Sequence, residues 1–390
     1  MPDGTARRWA LGLAPLVLLG LLLVAFFRFG PAGVFRKAFP PVEELTIERI
    51  TLPAPGRLEV SVVNGGPEAV TVAQVFVDDA AWSHEVDGSR EIPRLGRRTI
   101  RIPYPWVEGE PLVVTLVTST GLTFPAELAV ATQTPTPDGR YLGTFALLGL
   151  YAGVIPVLLG LLWLPFLRTL RREWIDFFLA LTVGLLAFLG VDALVEAIET
   201  ASRVPGAFQG GGLVVLGFLG AALGLQALSA ARRRSAERPA ALELATLIAI
   251  GIGLHNLGEG LAIGGAYASG EIALGTTLVV GFLIHNTTEG LGIVSPLAEE
   301  RTGLGTLVLL GLLAGVPTIL GAWIGGFSAS PVATTLCFAV GAGAIAQVVH
   351  QLWRLIGGRA PAAGGLVPRT ALGLLAGMGV MYATGLLVPA

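Results

Sequence analysis

Two short segments of the chain repeat one arrangement of side chains able to bind metal ions. His255-Asn256-Leu257-Gly258-Glu259-Gly260 and His285-Asn286-Thr287-Thr288-Glu289-Gly290 share the pattern HNxxEG, thirty positions apart. Both lie inside long apolar stretches, as does His350; of the four histidines only His84 falls elsewhere. At about 100° per residue, a histidine and a glutamate four positions later differ by about 40° around a helix. They share a face, with the asparagine at its margin. Each segment then presents an imidazole, a carboxylate and an amide oxygen along one stripe. Such mixed nitrogen and oxygen donors suit zinc, iron or manganese, and the lack of thiolates argues against copper(I). Cys337 is the only cysteine, which excludes an intrachain disulfide and a thiolate cluster.

The elements that must hold these groups are legible in the composition. Of 390 residues, 53% are hydrophobic and only 13% charged, whereas soluble chains approach about a quarter charged. With a mean hydropathy of +0.74, the lipid bilayer is the expected solvent. The formal net charge of −2 says nothing about nucleic acid, but no basic block looks like a nucleic-acid footprint, so no nucleic-acid partner is expected. Eight apolar runs cover roughly 142–166, 173–199, 210–231, 241–266, 271–296, 303–326, 331–356 and 368–388. Each is near the roughly 20 residues needed to cross about 30 Å of hydrocarbon. The link at 268–270 makes the fourth and fifth runs antiparallel neighbours, and both motifs lie about half a bilayer from it. Two imidazoles and two carboxylates are therefore expected to converge near the midplane. A carboxylate there costs about 2.5–3.5 kcal/mol on insertion scales, which a captured dication offsets. Interhelical hydrogen bonding is the competing use of such groups; two motifs at matching depth favour the metal.

Upstream, Trp9 to Phe27 forms a further apolar run after Arg7 and Arg8, read as an uncleaved anchor because it ends Phe26-Phe27-Arg28 rather than in small residues. Residues 1–39 are then an anchor and linker, 40–137 an extracytoplasmic unit, and 138–390 the helical domain. The middle unit has the alternation of short strands at Leu58–Val63, Val70–Val77, Thr99–Ile102, Leu112–Val117 and Leu122–Phe124, separated by turn signals such as Asp87-Gly88 and Thr120-Gly121. This pattern resembles an all-β, immunoglobulin-like sandwich. Arginines set the sidedness. Arg168, Arg171 and Arg172 follow the first core run, Arg232, Arg233, Arg234 and Arg238 the third, Arg301 the fifth, and Arg354, Arg359 and Arg369 the seventh. The positive-inside rule puts these links and the N-terminus in the cytoplasm, and the β unit and C-terminus outside a plasma (inner) membrane. Arg28, Arg36 and Lys37 run against this rule.

The paired motif resembles that of the Zrt/Irt-like (ZIP) family of metal transporters, nearest its GufA-like bacterial branch, whose fourth and fifth helices carry HNxPEG and a related segment. The resemblance covers 142–388 and leaves the anchor and β unit outside it. It implies an eight-helix core in which His255, Asn256, Glu259, His285, Asn286 and Glu289 ligate a transported dication, zinc before iron, manganese or cadmium. It also implies that the first, fourth, fifth and sixth helices move against the others. Gly258 and Thr288 stand where the family has prolines. Thr318 stands near a glutamate that completes a second metal position in relatives, so a single ion is expected. His350 resembles an exit-side histidine. Asp192 and Glu196, four apart on the second run, could form an acidic entrance, or simply solvate a helix end. The spacings Gly217/Ala221 and Gly220/Gly224 suit close packing within the chain or in a homodimer. The alternative is a membrane-embedded metal-dependent hydrolase or other metalloenzyme. HExxH and paired ExxH motifs are absent, so the expectation is a transporter and not an enzyme.

Overall fold

The computed structural model describes residues 3–29, 42–234, 240–328, 330–359 and 368–386. Arg36, Lys37, Arg238 and the boundary at 39/40 lie outside the described residues. The chain is 65% helical, with a separate small β region.

Nine strands make up that region: β1 (Leu45–Ala54), β2 (Arg57–Asn64), β3 (Val70–Val77), β4 (Ala80–Trp82), β5 (Glu85–Val86), β6 (Glu91–Ile92), β7 (Arg97–Ile102), β8 (Leu112–Thr118) and β9 (Thr123–Leu128). They pair antiparallel in two sheets, β1-β2-β7-β5 and β4-β3-β8-β9, with β6 on β3. Strict alternation buries Leu58, Val60 and Val62 of β2 against the same core as Leu112, Val114 and Leu116 of β8. The β3–β4 hairpin turns through Asp78 and Asp79, at φ 50° and 65°. These left-handed values match the turn that follows the twist of paired strands.

The helices are α1 (Asp3–Phe29), α2 (Gly139–Leu167), α3 (Arg172–Ala201), α4 (Gly210–Arg234), α5 (Ala240–Ala268), α6 (Ile272–Val294), α7 (Leu304–Ser328), α8 (Pro331–Arg359) and α9 (Pro368–Gly385). Asp138 caps α2, its Oδ1 accepting from Arg140 N and Tyr141 N at 2.9 Å each. Among the described residues, seven helices, α2 to α8, are long and apolar enough to cross a bilayer. The protein is thus a multi-pass helical membrane protein with a β unit. In α1 the apolar stretch is Leu13–Phe26, with its side chains exposed.

The packing falls into two groups: α2, α5, α6 and α7 in one, and α3, α4, α8 and α9 in the other, joined mainly where α8 meets α5. Lipid tails are as apolar as leucine, so helices in a membrane associate through close packing of small residues. The closest pairing is α5 on α7. Gly260 and Gly264 face Gly321 and Gly325, two G-x-x-x-G ridges in mutual contact; a Cβ on Gly321 would lie 2.8 Å from Leu261 N. Gly217 packs on Ala339 of α8, but a Cβ on Gly220 or Gly224 would point into open space with nothing from another element within 4 Å.

The arginine-bearing links gather at one end of the bundle. Arg168 Nη2 donates to Glu300 O at 2.6 Å, joining the α2–α3 and α6–α7 links, and Arg369 pairs with Glu173 between the starts of α9 and α3. The β unit sits at the other end. Arg49 donates to Phe327 O (2.7 Å) and Gly326 O (3.2 Å) in the last turn of α7, and the Glu44 carboxylate accepts from Gly206 N (2.6 Å) before α4.

Gly260→Leu should drive a side chain into the α7 backbone and destabilise the protein by about 3 kcal/mol or more. Gly220→Leu should be tolerated. Thermal unfolding in detergent, followed by size-exclusion fluorescence, distinguishes the two; equal midpoints would refute this packing.

Candidate metal centre

The α5 helix carries its motif through an unbroken run, because Gly258 keeps its N–H where a proline would not; the flat face it leaves lies against the Phe338 ring. The α6 helix is likewise continuous. There Thr288 Oγ1 donates to His285 O at 2.6 Å and Thr287 Oγ1 to Leu283 O at 2.9 Å, tying the hydroxyls back onto their own helix. One turn separates His255 from Glu259, as the spacing requires. Their side chains meet, His255 Nε2 standing 3.2 Å from Glu259 Oε1.

Glu259 is the hub. The same Oε1 lies 2.5 Å from His285 Nε2 of α6, and the other oxygen, Oε2, accepts from Asn286 Nδ2 at 2.9 Å. All four residues are buried, Glu259 to 2% exposure. One donor atom from each of His255, Glu259 and His285 falls within 4.8 Å of the others, the geometry of a group able to hold a metal ion. Two donors about 2.0–2.1 Å from a tetrahedral zinc lie about 3.4 Å apart. The His255–Glu259 spacing is close to that already, and His285 has to withdraw by about 1 Å to admit an ion.

The asparagines are anchored from neighbouring helices. Asn256 Nδ2 donates to Ala314 O of α7 at 3.1 Å, and Asn286 Nδ2 to Ala152 O of α2 at 2.8 Å. Each amide oxygen is left buried and without a partner, as are His255 Nδ1, both oxygens of Glu289 and Thr318 Oγ1. Buried polar atoms are nearly always hydrogen-bonded, and such a concentration of orphaned atoms, mostly oxygens, is what a cation would satisfy.

Of the six ligands expected from the repeat, His255, Glu259 and His285 bring donor atoms within 4.8 Å of one another, Asn286 bonds Glu259, and Asn256 is buried on the same helix as Glu259 with its amide on Ala314 O. Glu289 is the sixth. It is 2% exposed and within electrostatic reach of Glu259, but stands outside the 4.8 Å group. Asp192 is exposed on α3 and lies within electrostatic reach of both site histidines. Glu196, a turn further along, is also exposed and interacts with Asp192 and Glu199 rather than with the centre. His350 is not part of the centre. Gly341 of α8 packs on His255, so His350, nine residues on, lies about 13 Å further along the helix. There it lines a cavity of about 660 Å³ with Glu243, Gln347, Gln351 and Arg354.

Sequence reasoning missed the backbone acceptors at Ala152 and Ala314 and the close approach at Gly341. Pro156, inside an apolar run, was the available signal for Ala152, since a proline in a spanning helix leaves the carbonyl four residues earlier for another partner; Pro317 frees Leu313 O in the same way, so no proline marks Ala314.

No family model and no curated protein matches the chain. Fold and site together define a multi-pass helical membrane protein with a separate β unit and a buried His/Glu/His group able to hold a cation.

Glu259 touches both rings, so Glu259→Gln should weaken zinc binding by on the order of 100-fold. His350→Ala should leave it within about 2-fold, as a site some 13 Å away adds independently. Isothermal titration of the detergent-purified protein reads both.

Proposed function

We propose that the chain transports a divalent transition-metal ion, zinc first, across the membrane into the cytoplasm, and that it is a transporter of the Zrt/Irt-like class, nearest the GufA-like branch. The observation that carries this reading is the buried His255/Glu259/His285 group, shared by two adjacent helices. Iron, manganese and cadmium meet the same donor set. In this reading α2 to α9 are the eight-helix core, α1 anchors the chain, and the β unit is an immunoglobulin-like module outside the plasma membrane. Asp192 and Glu196 form the entrance. His350 and its cavity, at the end that gathers the arginine-bearing links, form the exit.

Donor chemistry supports transport in a second way. An ion held by two imidazoles and one carboxylate, with amide oxygens beside them, is bound by few charged groups. Release then needs only modest displacement of one helix relative to another. Asn256 and Asn286 connect the centre to α7 and α2, so movement of either helix changes the ligand set.

One observation favours the metalloenzyme reading: Glu289 is a buried carboxylate outside the three-ligand group with neither oxygen hydrogen-bonded, and would be the group left to act as a general base if the centre held a metal. A single measurement separates the two. Sealed vesicles reconstituted with the protein should accumulate radiolabelled zinc, competed by cadmium, manganese or iron. His255→Ala and Glu259→Ala should lower uptake to the level of empty vesicles while inserting normally. Zinc-dependent hydrolysis without uptake would establish the enzyme instead.

A further inference from the structure

The carbonyl that anchors Asn286 is one that a regular helix would not offer. Ala152 O would ordinarily accept from the N–H four residues later, but residue 156 is proline and has none. Ahead of it the helix widens to a π-turn over Leu150–Val154, in which Ile155 N–H reaches back to Leu150 O. Such single turns are rare and concentrate at functional sites. The α2 and α6 helices touch close by, where a Cβ on Gly290 would lie 2.7 Å from Gly160 Cα.

Asn286 Nδ2 uses both of its N–H bonds, one to Ala152 O at 2.8 Å and one to Glu259 Oε2 at 2.9 Å. That arrangement fixes the side-chain amide. It leaves Oδ1, buried and unpartnered, as the atom available to an ion. The reversed amide would aim two donors at a cation and would meet both the carbonyl and the carboxylate with an acceptor. It would also leave Glu259 held only by the imidazoles that an ion has to claim.

We propose that Pro156 is a positioning residue for the metal centre: by denying Ala152 O a helical donor, it makes that carbonyl the anchor that orients Asn286 and, through it, the Glu259 carboxylate. This inference rests on the metal-site reading above. Restoring an N–H at position 156 closes the helical bond onto Ala152 O and sets it in competition with Asn286.

The test is a double-mutant cycle read by zinc titration calorimetry on the full-length protein in detergent: wild type, Pro156→Ala, Asn286→Ala and the double variant. Pro156→Ala is expected to weaken zinc binding by about 10–100-fold, the range for groups that orient metal ligands. Its metal-free thermal midpoint should be unchanged or higher. In the Asn286→Ala background the same change should cost less than about 2-fold, since coupled residues are not additive. Unaltered affinity in Pro156→Ala, or an equal penalty in both backgrounds, overturns the proposal. Pro156→Ser restores the same N–H and replaces the alanine variant if that one does not fold. Failure of both to fold shows a scaffold role and also overturns it. A wild-type protein that binds neither zinc, cadmium, manganese nor iron refutes the metal site itself, an outcome distinct from a site that binds but ignores position 156.

Discussion

One carboxylate in the wrong solvent organises the transmembrane half of this protein. Glu259 is placed at mid-helix in an apolar bundle, where an ionised oxygen has no water to turn to. Its own helix supplies one partner, His255. The other two, His285 and Asn286, come from α6, so the register between α5 and α6 is pinned at that depth. A slip of one residue on either helix would turn the imidazole away by about 100° and leave the carboxylate bare. Asn286 and Asn256 then extend the demand to α2 and α7 through backbone carbonyls. Three helices, α5, α6 and α2, are thereby bonded in one network around a single buried charge, and Asn256 adds a separate bond from α5 to α7.

Those ties are compatible with tight packing because the same helices carry glycine where they must touch. A bilayer supplies no hydrophobic force between helices, only the gain from close contact and from hydrogen bonds that lipid cannot make. The α5–α7 ridges at Gly260/Gly264 and Gly321/Gly325 provide the contact, and the asparagine bonds provide the rest. Leucines on these spans serve a different end. Leu216, Leu309 and Leu372 lie exposed where a water-soluble protein would bury them. The β unit obeys the opposite rule: Leu58, Val60, Ile100 and Leu116 close a core between two sheets. One chain reads the same apolar residues in two solvents.

Much of this was visible in the sequence, for identifiable reasons. A histidine and a glutamate four apart share a helical face whatever surrounds them, and the short link near 268–270 left α5 and α6 no geometry but antiparallel contact. Strands β2, β3, β7 and β8 were legible because one face is buried and the other is not. What failed to show was tertiary in origin. Glu289 follows the same spacing as Glu259, and its burial within electrostatic reach of Glu259 but outside the 4.8 Å group does not follow from that spacing. Strand β1 carries no clean alternation since its register shifts between Ile47 and Arg49 and again between Thr51 and Ala54; such irregularities interrupt the two-residue period. The Asp78-Asp79 turn carries no glycine, the signal by which turns were sought. Nothing in local sequence tells which carbonyl Asn286 will find.

That irregular first strand carries the junction between the two halves. The final carbonyls of a helix have no partners within it and bear the negative end of its dipole, and the Arg49 guanidinium meets two of them at the end of α7. A few residues earlier the Glu44 carboxylate takes the opposite polarity, accepting an N–H at Gly206 in the α3–α4 link. The two contacts thus fall on different helix groups, α7 belonging with the metal centre and the α3–α4 link with the other four helices. Glu44 and Arg49 are five residues apart, so one short stretch of the β unit contacts both helix groups at this end. The β unit is therefore joined to both helix groups at this end.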